Sequence, residues 1–168
     1  PPTLLVSSIW VMDDATKSVT LDAKVAGDLI YIVGKTKEEM GGSEYLAQKG
    51  FTGNTTPKVE PQKAKKSYTA LSKAIQERLA ASAISVTKGG LGVAISKMLI
   101  AGQLGAEISL EGLPIERTSE REDYILFSET QSRAIVTIDP KNKERFEKIM
   151  SENDFAEIIA TKLKSVGF

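Results

Sequence analysis

Thr87-Lys88-Gly89-Gly90-Leu91-Gly92 follows a short apolar run, Ala83-Ile84-Ser85-Val86, and opens a second, Val93-Ala94-Ile95-Ser96-Lys97-Met98-Leu99-Ile100. The order reads as strand, glycine loop, helix. Free N–H groups at a helix start, beside a backbone that glycine lets come close, form an anion site. Glycines used for turn geometry alone give the same local pattern, so both readings stand on these residues. The rest of the chain reads as two flanks packed around this unit.

Downstream, Met98 to Ala101 closes the helix, Gly102 is its expected stop, and Gly105 to Leu110 is an expected strand. Residues 111 to 123 are polar and read as a surface crossing with a helical turn. Tyr124 to Ser128 and Arg133 to Ile138 read as extended or apolar elements around the polar insert Glu129-Thr130-Gln131-Ser132, with Arg133 to Ile138 a good strand. Asp139-Pro140 starts a helix running to about Met150, with Phe146, Ile149 and Met150 inward. Phe155 to Ala160 is a candidate last strand, and the final KLKSVGF carries no firm signal.

Upstream, Thr3 to Met12 is apolar and β-branched and reads as a strand. Asp13-Asp14-Ala15-Thr16 reads as a turn; adjacent carboxylates suit Mg²⁺, but Asp-rich turns also arise for backbone reasons. Ser18 to Leu21 is a short candidate strand. Leu29-Ile30-Tyr31-Ile32-Val33 is a clear one, and its unbroken apolar character predicts a central strand covered on both faces. Thr36 with Glu39 fits a capping box, and Ser43 an N-cap for a helix through Lys49 with Gly50 as its stop. Residues 51 to 61 read as an exposed loop. From Pro61, the stripe Ala64, Tyr68, Leu71, Ile75 and Leu79 predicts an amphipathic helix. Lys63, Lys65 and Lys66 lie near its start, where cations oppose the dipole; they read as a solvated face or as a functional basic patch.

The elements do not alternate strictly. That predicts an α+β domain of two or three layers, a mixed β-sheet covered by helices. At 168 residues, 41% hydrophobic and 26% charged, the chain is expected to be a single domain, 1–168, with its core in about 3–160. It opens Pro1-Pro2-Thr3, with no initiator methionine and no basic region before its first apolar run. We therefore expect no secretory signal, and a processed chain or a C-terminal fragment of a longer one. The longest apolar runs are far too short for a membrane span.

There is no cysteine and no histidine. That removes thiol nucleophiles, disulfides, thiolate zinc sites, imidazole bases and Ser-His-Asp triads together. Lys plus Arg is 22 and Asp plus Glu is 22, whereas a general nucleic-acid binder is usually basic. Absence of cysteine fits a cytoplasmic setting.

Four pieces occur in order: Ala26-Gly27-Asp28-Leu29-Ile30-Tyr31-Ile32-Val33-Gly34; Gly41-Gly42-Ser43-Glu44-Tyr45; Lys88-Gly89-Gly90-Leu91-Gly92-Val93-Ala94; and Leu126-Phe127-Ser128-Glu129-Thr130-Gln131-Ser132-Arg133. Together they resemble the C-terminal domain of the aminoimidazole ribonucleotide synthase superfamily, over about residues 2 to 150. Within it, the chain is most similar to the last such domain of phosphoribosylformylglycinamidine synthase large subunits.

The resemblance implies an ATP-dependent C–N ligase of de novo purine biosynthesis, converting an amide to an amidine with glutamine-derived ammonia. It implies ATP and Mg²⁺ for the parent enzyme, an N-terminal ATP-binding domain on the same chain, and glutaminase and small accessory subunits. A homodimer is compatible with it; nucleic acid and membrane partners are not implied. It also implies two such domain pairs per parent chain, with this domain in the second, largely structural pair. By match to the family's motifs, the substrate- or phosphate-binding candidates are Gly42, Ser43, Lys88, Gly89, Gly90, Glu129, Gln131 and Arg133. No catalytic residue and no metal ligand is assigned. The family's loop often reads His-Asp-x-Ser-Asp-Gly-Gly; here Ile84, Ser85, Val86, Thr87, Lys88, Gly89 and Gly90 occupy those positions, so its carboxylates are gone. Lys88 in place of Asp favours an anion by charge. Glu129 paired to Arg133 across a structural turn is the plainer reading of the last motif. A stand-alone anion- or nucleotide-binding module, or a dimerisation module, is the alternative function.

Overall fold

The computed structural model describes residues 5–110, 113, 115–116, 121–152 and 161–164. In chain order its elements are β1 (Leu29–Val33), β2 (Thr36–Lys37), α1 (Glu44–Gln48), α2 (Pro61–Gln76), β3 (Ala80–Ser85), α3 (Gly90–Gly102), β4 (Gly105–Ala106), β5 (Ile115–Glu116), α4 (Glu122–Phe127), β6 (Ala134–Ile138), α5 (Lys143–Ser151) and β7 (Thr161–Lys164). Short 3-10 turns cover Ala15–Lys17 and Pro140–Asn142.

All five residues of β1 are buried. Successive strand side chains point to opposite faces, so such a run needs cover on both. Leu29, Tyr31 and Val33 pack with Ala70 and Ala74 of α2 and Phe146 and Ile149 of α5. Ile30 and Ile32 pack with Leu91, Ala94, Ile95 and Met98 of α3. The main sheet runs β3-β6-β1-β7-β4, with every pairing antiparallel. β2 and β5 form a separate parallel pair. The result is three layers, helices–sheet–helix, and the α+β expectation holds, with the two pairing senses divided between two sheets. Among the described residues no helix is long and apolar enough to cross a membrane.

Several expectations need correction. Residues 5 to 12 form no strand and lie exposed: Ile9 is 95% and Trp10 91% accessible. Among the described residues no strand pairs with them, despite their β-branched composition. Ser18 to Leu21 is also irregular, although Thr20 carbonyl oxygen accepts from Ala83 N–H at 3.0 Å beside β3. Thr36 lies in β2 instead of capping a turn, and its hydroxyl is taken by an arginine. The buried side of α2 is Ala64, Ser67, Ala70 and Ala74, rotated away from the expected stripe and leaving Tyr68 exposed; the helix sits close enough that small residues face the sheet. Gln103 (φ 53°), not Gly102, takes the left-handed cap of α3. The strand expected at Gly105 to Leu110 shrinks to Gly105–Ala106. Tyr124 to Ser128 is helical through Phe127, and β5 forms inside the polar crossing. Phe155 to Ala160 lies outside the described residues, while the unsignalled tail supplies β7.

The Glu129 carboxylate cluster

Strand register assembles the candidate site. Val33, the last residue of β1, is opposite Ala134, the first of β6, and Ser85, the last of β3, is opposite the same residue. Everything that follows β1 and β3, and everything that precedes β6, therefore collects at one end of the sheet. Those segments carry three of the four motif pieces, and the first piece is β1 itself, ending there at Gly34.

The glycine loop turns tightly from β3 into α3. Val86 N–H donates to Arg133 carbonyl oxygen and Gly90 N–H to that of Thr87, both at 3.0 Å. Gly90 has φ +67°, and a Cβ there would lie 2.6 Å from Ser128 carbonyl oxygen. Only glycine lets the loop approach the 126–128 backbone this closely. Opposite it, Ser43 caps α1, its hydroxyl accepting from Leu46 N–H at 3.3 Å. Tyr45 stacks on Phe127 at 4.8 Å and donates to Asp123 Oδ2 at 2.7 Å, fastening α1 to α4. The Arg121 guanidinium, helped by Tyr45 and opposed by burial, holds Asp123 at about 2.

Between these two helix starts lies a carboxylate. Glu129 Oε1 accepts from Glu44 N–H and from Gly89 N–H, each at 2.9 Å. Two more donors of these loops are satisfied within the chain: Gly42 N–H by Thr52 carbonyl oxygen at 2.7 Å, and Ser43 N–H by that of Met40 at 3.1 Å. The anion expected at the glycine loop is thus a side chain of the protein. It fills the role a bound anion would have at helix starts. Lys88 does not reach into this cluster from above; its ammonium pairs with Glu44 Oε1 at 2.7 Å, while its side chain stays 79% exposed. The Glu44 carboxylate, with Glu129 near, raises the Lys88 ammonium above its ordinary range.

Gln131 folds back, its Nε2 donating to Glu129 carbonyl oxygen at 3.2 Å. Arg133 turns the other way, into the core. It is 2% exposed, and its guanidinium donates to Thr130 carbonyl oxygen (3.0 Å), Thr36 Oγ1 (2.8 Å) and Ser128 carbonyl oxygen (2.6 Å). The expected Glu129–Arg133 pair is therefore absent. Ser132, at φ 63°, reverses the chain between them, so the carboxylate meets N–H donors and the guanidinium meets carbonyl and hydroxyl oxygens. Burial pulls Arg133 down to about 10, opposed by Glu39. Ser128 Oγ, donating to Lys37 carbonyl oxygen at 2.6 Å, and Thr130 Oγ1, donating to the same oxygen at 3.1 Å, complete this inner shell.

Of the candidates, Gly89 bonds the Glu129 carboxylate directly, Gln131 bonds the Glu129 backbone, and Lys88 pairs with Glu44 beside it; Gly42, Ser43 and Gly90 shape the two loops through backbone bonds of their own, and Arg133 turns into the core. Glu44 and Ser128, which lie inside the quoted motif pieces, and Thr36, which reads as half of a capping box, belong with them although none of the three was a site candidate. A metal role does not fit the donors present. Among the described residues no group of three or more His, Cys, Asp or Glu is placed to hold a cation. Asp14 caps the Ala15–Lys17 turn instead, accepting from Thr16 N–H at 3.0 Å. The arrangement is a clasp, in which backbone N–H groups of two loops hold one carboxylate.

Comparison with known proteins places this geometry in context. The family model described as AIR synthase related protein, C-terminal domain, matches residues 25–167. The chain is 37% identical over 153 residues to phosphoribosylformylglycinamidine synthase subunit PurL of Caldanaerobacter subterraneus subsp. tengcongensis, covering 90% of this chain and 20% of the relative. It spans about a fifth of the length of the curated relatives it matches. Solved structures of Thermotoga maritima PurL share the fold: complexed with FGAR (TM-score 0.76, 23% identity, 90% of this chain and 26% of that one), as PurLQS (0.74, 21%, 92% and 24%) and complexed with ATP (0.69, 22%, 92% and 24%).

Proposed function

The chain belongs to the AIR synthase related protein family through that C-terminal domain, and from this premise we propose that it serves as one domain of a phosphoribosylformylglycinamidine synthase, in the non-catalytic second half. The parent converts an amide to an amidine in purine biosynthesis, with ATP and glutamine-derived ammonia. On this reading residues 1–168 form a single domain with its core in about 3–160. An N-terminal ATP-binding domain precedes it on the same chain, and glutaminase and small accessory subunits complete a cytoplasmic assembly. ATP and Mg²⁺ act in the parent's working half; the donors of this loop do not fit the metal.

One observation carries the non-catalytic reading. The glycine loop, where the family match would seat substrate or phosphate through Gly42, Ser43, Lys88, Gly89, Gly90, Glu129, Gln131 and Arg133, is closed by the Glu129 carboxylate. Ser85 stands where a carboxylate would be. The purified chain is expected to fold and to form no amidine when given ATP, ammonia and the formylglycinamide substrate. Amidine formation by the chain alone would overturn the reading.

A structural and interaction role for the same domain is favoured by the exposed apolar residues Leu5, Val6, Ile9 and Trp10. Apolar stretches of this kind mark surfaces that a partner covers. Replacing Ile9 and Trp10 with serine should weaken association with the parent's N-terminal domain in sedimentation; unchanged association would rule the role out.

A further inference from the structure

Away from the glycine loop, the first turns of α2, the β1–β2 connection and the 130–132 turn enclose a cavity of about 250 Å³. Five lysines line it, Lys35, Lys37, Lys58, Lys63 and Lys66, against one carboxylate, Glu60. The whole chain carries no formal net charge, so this is a local concentration of positive field in a concave wall, where field lines focus. Lys63 and Lys66 also stand in the opening turns of a helix, where cations oppose the dipole. Local rules broken in this way are characteristic of binding sites.

We propose that this cavity binds a small polyphosphate anion: inorganic diphosphate, or the diphosphate end of a larger ester. Three observations on the chain support it. The lining is rich in donors, with ammonium groups supplemented by the Ser67 and Ser132 hydroxyls, and a phosphoryl group offers only acceptors. The volume lies below the roughly 300–1,000 Å³ of pockets that enclose drug-sized ligands, so a phosphate chain fits and a bulky body stays outside. Glu60 already demonstrates the recognition. Its carboxylate bridges Lys37 and Lys63, the latter at 2.5 Å, and these ammonium groups hold it at about 2. Lys35, Lys37 and Lys66 have further interactions of their own, so a ligand enters by competition, its multiple charges displacing single ones. The cavity lining shares Thr130, Gln131 and Ser132 with the segment carrying Glu129, and its charged groups come from elsewhere in the chain.

The experiment is calorimetric titration of the 168-residue chain with inorganic pyrophosphate, uridine diphosphate and, as control, sodium sulfate at constant ionic strength. Pyrophosphate should bind at least about tenfold tighter than sulfate, since each charge-assisted hydrogen bond lost is worth about that factor. Glu60→Gln, which removes the resident competitor, should tighten pyrophosphate binding several-fold. The Lys63→Glu, Lys66→Glu double variant, with both positions exposed, should weaken it about tenfold or more with an unchanged circular dichroism spectrum. Uridine diphosphate binding like pyrophosphate identifies an ester as the ligand; pyrophosphate alone identifies the free ion. Sulfate matching pyrophosphate, Glu60→Gln weakening the affinity, or the double variant leaving it unchanged would each overturn the proposal.

Discussion

Two carboxylates of this molecule occupy places built for anions, and they are held by opposite means. Glu129 is gripped by backbone N–H groups of two helix starts, at Glu44 and Gly89, whose positions are set by the sheet register. Glu60 is gripped by the side-chain ammonium groups of Lys37 and Lys63, on long flexible stems. A backbone donor cannot move away when its acceptor is removed, so the loss falls on stability. A lysine can turn to solvent or to another anion, so the loss falls on affinity. Rigid donors thus make a clasp; mobile donors make a receptor.

Breaking the comparison at its strongest point means removing the group that fixes the rigid side from behind. Arg133→Met leaves three buried acceptors without a donor, and each orphaned group costs about 1–3 kcal/mol. We expect a loss of roughly 3 kcal/mol or more in urea unfolding; a change below about 1 kcal/mol would show the turn to be held otherwise. Glu129→Ala comes next, at roughly 1–3 kcal/mol. Glu129→Gln should recover a good part, because an amide oxygen still accepts from Glu44 and Gly89 N–H; equal losses for the two variants would place the effect in charge, not in hydrogen bonding.

Asp28 sharpens the contrast as a carboxylate with neither kind of donor. Its Oδ2 is buried without a hydrogen-bond partner, and burial, helped by Asp139, raises its pKa. A raised carboxylate pKa means the folded state binds the proton more readily than the unfolded one. Its penalty is therefore full at neutral pH and shrinks as pH falls through the folded value. Asp28→Asn should stabilise by a fraction of a kcal/mol at pH 7, and the advantage should fade in acid; a constant advantage from pH 7 to pH 4 would contradict this. Glu60 has the opposite sign. Held at about 2, it contributes stability above its ordinary range that is lost as pH falls toward 2. Smallest of all is Lys88→Ala. Its pair with Glu44 is largely solvated, and exposed pairs contribute little, so the thermal midpoint should not move measurably.

Much of this was legible in the chain. The unbroken run Leu29–Val33 announced a strand covered on both faces, Ser43 announced its helix, and Thr87–Gly92 announced a strand-to-helix loop. What escaped was decided by long-range partners. Residues 5–12 have strand composition, but β propensity is realised only beside another strand. Tyr124–Phe127 read as an extended or apolar element, because a six-residue helix shows too little periodicity; the acidic pair Glu122-Asp123 after Arg121 was a local sign of it. Thr36 and Glu39 have capping-box spacing, yet Arg133 claims the Thr36 hydroxyl from 97 residues away. At the site, the motifs identified the right loops and the wrong partner. Glu129 was matched to its neighbour Arg133, whereas its donors lie 85 and 40 residues off. Local spacing cannot rank such candidates, because the register that delivers them belongs to the sheet.

That register also dictates when the sheet can exist. β1 lies at its centre, yet its two neighbours, β6 and β7, begin more than a hundred residues later at Ala134 and Thr161. A chain emerging from the ribosome at about 5–20 residues per second carries the naked apolar run Leu29–Val33 for several seconds before its first partner is made. Such long-range pairing folds slowly and exposes adhesive strand edges meanwhile. During synthesis the segment whose strand partners come last is the one that ends up best protected.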